Sequence, residues 1–187
     1  AAIEILDRSV DVNGELIEWE NEMRGSFVNG LGEFYLRQGK VDLAEPLLRQ
    51  ACDLRSSRFP ANHPIMSASY DALGRLEIAK GNLAEASSLL KRAHKIRLRY
   101  CKANLSDLAD TYKSMAMLKQ LQGEVAEAEQ LLRQALTAKE KVFGACHPDV
   151  AEVLEALSQL LAHLGLRADE GALLSERARA IRNFYIK

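Results

Sequence analysis

The 187 residues suffice for a substantial core, and 48% hydrophobic content separates the chain from disordered sequences. The 25 Lys+Arg against 26 Asp+Glu leave a formal charge of −1, so no bulk field favours nucleic acid or an acidic membrane. No apolar run reaches bilayer length and Ala1-Ala2-Ile3 begins no signal peptide; three cysteines without paired spacing argue for a reducing, intracellular and cytoplasmic setting.

Residues 1–12 (AAIEILDRSVDV) read as a helix with Ile3, Ile5, Leu6 and Val10 on an exposed face. Ile5-Leu6 stands 42 residues before Leu47-Leu48, so the chain opens on the second helix of a unit whose first helix is missing. That suits a segment cut from a longer array; a native cap is the other reading. Asn13-Gly14-Glu15 carries a turn. Helical spacing resumes with Phe27, Leu31, Phe34 and Tyr35 ahead of Gly39.

From Gly39 onward one pattern repeats: helix A, glycine turn, helix B, loop. Gly39, Gly81, Gly123 and Gly165 are each 42 residues apart, as are Leu47-Leu48, Leu89-Leu90, Leu131-Leu132 and Leu173-Leu174. A glycine at this place stops helix A by entering the left-handed region without a Cβ clash. Ala44, Ala86 and Ala128 keep the same step, as do Ala51, Ala93 and Ala135 seven residues on, which gives helix B a small-residue face for close packing. His63-Pro64 returns as His147-Pro148 ahead of the next helix A, where proline suits a first turn. Asp149 and Glu152 place negative charge near that positive helix end. In the third loop Leu105-Ser106 replaces His-Pro, and Asn104 or Ser106 is the expected N-cap. In the last unit Glu170 and Arg177 occupy the small-residue columns, as expected of a terminal cap helix over 167–187.

A fixed period of this size predicts an all-α solenoid, each unit burying its face against its neighbours. The expected layout is one array over 1–187 with nine helices. Residues 1–12 supply the truncated half-unit, and 22–58, 64–101, 106–143 and 148–187 the helix pairs.

Leu31-Gly32 with Tyr35, Gly39, Ala44, Leu48 and Ala51 are placed as in the tetratricopeptide repeat, and Leu73-Gly74, Gly81, Ala86, Leu90 and Ala93 follow. The usual unit has about 34 residues. The longer unit here resembles the repeats of kinesin light chains and related proteins in GKVDLAEPLLRQACDL, GNLAEASSLLKRAHKI and GEVAEAEQLLRQALTAKEKVFGACHPDVA. The resemblance covers nearly the whole chain, about four and a half repeats. It implies a right-handed superhelix whose A helices line a concave groove where an extended peptide or partner helix lies. Carried over residue by residue, the groove positions are Asn29, Glu33 and Arg37; Asp71, Arg75 and Ile78; Lys113, Met117 and Gln120; and Glu155, Gln159 and His163. The column that holds a peptide-binding asparagine in kinesin light chains reads Asn29, Asp71, Lys113, Glu155.

Other residues have plainer readings. His63 and His147 serve turns and helix starts, and Cys146-His147-Asp149 lacks the second ligand pair of a closed zinc site. His94 is a half-buried helix B residue, and His163 favours a helix C-terminus. Trp19 packs where the first helix joins the stack; a partner contact is its livelier reading. Lys91, Arg92, Lys95, Arg97 and Arg99 read as a solvated helix face. No phosphate loop, nucleophile–base pair or metal set occurs. The function expected is a non-catalytic, cofactor-free scaffold or adaptor within a larger protein, binding a protein or peptide, with no membrane insertion. The alternative is an assembly or regulatory segment that packs on another domain of its chain or self-associates through its exposed N-terminal helix.

Overall fold

A computed structural model describes residues 18–100, 105–164 and 167–185, the side chains of 18–22, 163 and 164 excepted. These residues form eight α-helices: α1 (Glu18–Arg37), α2 (Val41–Ser56), α3 (Met66–Ala79), α4 (Leu83–Tyr100), α5 (Leu105–Leu121), α6 (Val125–Phe143), α7 (Pro148–Leu164) and α8 (Ala168–Tyr185). The expected ninth helix, over 1–12, lies outside the described residues, as do Asn104 and Gly165.

The chain divides into two compact units, Ala1–Ile96 and Arg97–Lys187. In the first, α1 packs on α2, and α2 on α3. The body of α4 closes on α3 through Met66 and Tyr70 against Ala93 and Ile96. In the second, α5 packs on α6, α6 on α7 and α7 on α8. The helices thus stack in consecutive pairs, as the repeat requires.

Local chemistry explains the reversals. Gly39, Gly81 and Gly123 have φ of 72°, 81° and 80°. Past each of them the next N–H reaches back to a carbonyl five residues earlier: Lys40 to Tyr35 at 3.0 Å, Asn82 to Glu77 at 2.8 Å, and Glu124 to Lys119 at 2.9 Å. This is the glycine-dependent helix stop that satisfies otherwise orphaned carbonyls. The B helices then lie against their A helices with all six alanines of the two columns fully buried, beside Leu48, Leu90 and Leu132. Burying such leucines stabilises by about 1.5–3 kcal/mol each.

His63 and His147 start the following A helices. Each Nδ1 accepts the backbone N–H two residues on, from Ile65 at 3.3 Å and Asp149 at 3.2 Å. Each ring stacks on a phenylalanine at the end of the preceding segment, Phe59 at 4.5 Å and Phe143 at 4.4 Å between centroids. Pro148 is the first residue of α7, whereas Pro64 lies in the turn before α3. Ser106 is not a cap: it is the second residue of α5, and its Oγ accepts from Lys139 Nζ at 3.0 Å.

Two expectations are corrected. First, the last helix is out of frame. α8 begins at Ala168, one residue later than the 42-residue step from Val125 requires, so its small buried residues are Gly171 and Ala178. Leu173, the expected first member of the leucine pair, is 67% exposed. Glu170 and Arg177 fall outside the buried stripe and pair with α6, Glu170 with Arg133 at 2.7 Å and Arg177 with Glu140 at 2.6 Å.

Second, the basic run on α4 is not wholly solvated: Arg97 is buried. It belongs to a column, with Arg55 and Lys139, of buried cations that helix B extends towards the next helix A. Arg55 Nη1 donates to Ser69 Oγ at 2.7 Å, and Arg97 Nη1 to Asp107 O at 2.6 Å and to Thr111 Oγ1. Lys139 Nζ meets Asp110 at 2.9 Å and Asp149 at 3.0 Å. Burial works against the Lys139 charge, but the two carboxylates outweigh it and hold the ammonium above its ordinary pKa. Counted through the one-residue shift, the fourth member is Arg182, which is exposed and donates to Glu155 at 2.6 Å.

Candidate partner-binding face

The candidate side chains sit on the A helices α1, α3, α5 and α7. In the first unit, positions four apart on α1 and α3 form one polar cluster. Asn29 Nδ2 donates to Glu33 Oε1 at 2.7 Å. Arg75 Nη2 meets Glu33 Oε2 at 3.0 Å, and its Nε lies 3.3 Å from Asp71 Oδ2. Asn29 and Asp71 are buried at the base, while Glu33 and Arg75 keep 25% of their side chains exposed. One guanidinium between two carboxylates leaves a net charge of −1. Arg37 is exposed a turn further on, whereas Ile78 is buried and offers no surface.

The second unit arranges the equivalent positions differently. Lys113 Nζ donates to Glu152 Oε1 at 2.6 Å, and Glu155 is held by Arg182 of α8. The lysine thus crosses to α7 one turn away from its own column. Met117, Gln120 and Gln159 are exposed. The side chains of His163 and Trp19 lie outside the described residues.

Sequence reasoning did not single out Glu152 and Arg182 as the partners of Lys113 and Glu155. Glu152 was read as charge at a helix start, and Arg182 as part of a charge-rich cap. Their alternation with Lys113 and Glu155 was a weak signal, because spacing along one helix does not tell which turn of the next helix lies alongside. Half-exposed ion pairs of this kind contribute roughly 0–1 kcal/mol to stability, so a ligand can exchange them at little cost to the scaffold.

Among the described residues no group of three or more His, Cys, Asp or Glu side chains is placed to hold a metal ion. No described helix is long and apolar enough to cross a membrane.

Structural comparison places the chain beside known helical repeats. BtubC (BKLC) from P. vanneervenii superposes with a TM-score of 0.70 at 22% identity, over 88% of this chain and 64% of that one. The chain therefore spans somewhat less than two thirds of BtubC. A candidate kinesin light chain from Podosopora anserina, with nearly identical TPR-like repeats, matches at 26% identity over 97% of this chain and 85% of that one. Its TM-score is 0.61, and 0.64 for a single-residue variant. A search of curated proteins found no match. The Tetratricopeptide repeat family profile matches residues 23–99 and 107–183, most of the sequence. Repeats of this family are typically protein–protein interaction modules and generally non-catalytic. Glycine stops, buried alanine columns and paired helices all agree with that match, and the chain belongs to the tetratricopeptide repeat family.

Proposed function

We propose that this segment is a non-catalytic interaction module whose A-helix faces hold an extended peptide or a partner helix within a larger protein. The observation that carries this reading is the pairing of Glu33 and Arg75, equivalent positions on successive A helices, at 3.0 Å. Within each unit a ligand lying across the two A helices meets equivalent positions twice, on a scaffold that needs little reorganisation. The exposed Arg37, Met117, Gln120 and Gln159 give it polar and apolar handles. Asn29, Asp71 and Glu155 hold the interacting side chains in place, while Ile78 anchors its helix. The alternation of acid and base suits a partner carrying charges of both signs. A cytoplasmic setting goes with this reading, since Cys52 and Cys146 are both free.

The test is affinity capture with the chain and with an Arg75→Glu/Lys113→Glu variant of equal thermal stability. Partners retained by the first and lost by the second support the face; an identical captured set overturns it. A second reading, an assembly segment, is favoured by one observation, the exposed Met23, Phe27 and Phe34 on α1.

A further inference from the structure

A groove of about 750 Å³ follows α6 from Ala126 to Lys141, with Leu105, Leu108 and Tyr112 of α5 as its other wall. At about 1.5 Å per residue the α6 wall is about 22 Å long. None of the lining residues belongs to the A-helix face described above. The first unit shows what closes the same place. A 42-residue step takes Leu108, Tyr112, Gln134 and Ala138 back to Met66, Tyr70, Arg92 and Ile96. There Ile96 shares a core cluster with Met66 and Tyr70, and all three are buried. Arg92 covers the Tyr70 ring, its guanidinium carbon 4.1 Å from the ring centre, and its Nη2 donates to the Tyr70 hydroxyl at 2.7 Å. In the second unit Ala138 supplies a methyl group in place of the Ile96 chain, and Gln134 is exposed. Tyr112 and Ala138 are left half-buried.

Both walls are helices, whose main-chain groups bond within the helix and offer nothing to an extended chain. An occupant therefore has to satisfy its own backbone, as a helix does. Leu105, Leu108 and Tyr112, three and four residues apart, form one apolar ridge for it to lie against. Charge sets the other half of the match. Arg133 is held by Glu129 at 2.9 Å and by Glu170 at 2.7 Å. Lys141, exposed near the end of α6, has no carboxylate partner among the described residues. We propose that this groove takes an amphipathic helix of a partner protein. A leucine or isoleucine of that helix stands over Ala138 and supplies the bulk that Ile96 supplies in the first unit. An aspartate or glutamate near its end pairs with Lys141. The surface acts whether or not the A-helix face binds a peptide.

The experiment is a fluorescence-anisotropy titration with a synthetic helix-forming peptide of about 15 residues, the length of the α6 wall. Its leucines follow the i, i+4, i+7 pattern of helix-in-groove recognition, and its last turn carries a glutamate. The expected result is saturable binding, weakened about tenfold by Ala138→Ile and about threefold by Lys141→Glu. A peptide with lysine in place of that glutamate should prefer the Lys141→Glu chain. The Arg75→Glu/Lys113→Glu variant should bind as the intact chain does, which separates this groove from the A-helix face. If Ala138→Ile fails to fold, Lys141→Glu, at an exposed site, is read alone. Absence of saturable binding overturns the inference. So does binding that neither variant weakens, or that a scrambled peptide of the same composition reproduces.

Discussion

Gly74 of α3 lies so close to Leu90 of α4 that a Cβ on the glycine would sit 2.7 Å from both Cγ and Cδ2 of the leucine. Gly32 and Leu48, one repeat earlier, reproduce the same relationship at the same distance. Leu90 is buried among its neighbours and has no open side to move into. Gly74→Ala should therefore lower stability by about 1–3 kcal/mol, the cost of overpacking, despite alanine's better helix propensity. Gly30→Ala meets nothing within 4 Å and should add about 0.5–1 kcal/mol. Denaturant midpoints of the two variants should move in opposite directions.

Arg55 is expected to act through its hydroxyl partners Ser69 and Ser26. Arg55→Met leaves the fully buried Ser69 without its 2.7 Å donor, at a cost of about 1–3 kcal/mol. Valine already occupies the Ser69 column at Val153. Arg55→Met/Ser69→Val should therefore recover part of the loss, and a double-mutant cycle should give a coupling near 1 kcal/mol. Strict additivity of the two changes would refute the pairing.

Burial pushes the His94 imidazole below its ordinary pKa. The unfolded chain then takes up the proton first as pH falls, so protonation favours unfolding. The His94 contribution is fully present above the unfolded-state value, about 6.5, and is lost as pH falls from there towards the folded value. His94→Leu, which copies Leu136 in the same column, should flatten the dependence of melting temperature on pH between about 7 and 5. An unchanged slope would place the sensitivity elsewhere.

Position 173 separates the column count from the packing. Leu173→Asp should change stability by no more than about 0.5 kcal/mol, since the side chain already faces water. Leu47→Ala, three units earlier in the same column, should cost about 2–5 kcal/mol because Leu47 is enclosed by Val28 and Ala51. Thermal unfolding of the two variants makes the comparison.

The glycine, alanine and leucine columns were legible because each answers one local demand repeated at a fixed interval: a left-handed stop, a close backbone approach, a filled groove. The cation column of Arg55, Arg97 and Lys139 has the same period, yet charge on a helix usually marks a solvated face, so Arg97 was read as surface. The α8 shift escaped for a related reason. A column count assumes connections of equal length, and one added residue before Ala168 rotates the helix by about 100°, carrying Gly171 and Ala178 inward in place of the in-frame Glu170 and Arg177.

The sequence by itself determined the helix pairs, their turns and the stripe that α2, α4 and α6 bury, because these depend on contacts between chain neighbours. Tertiary structure alone decided which side chains meet across helices. Glu33 reaches Arg75 in its own column, whereas Lys113 passes over Glu155 to Glu152. Which of two neighbouring carboxylates a cation reaches is settled between helices, which periodicity within one helix does not contain.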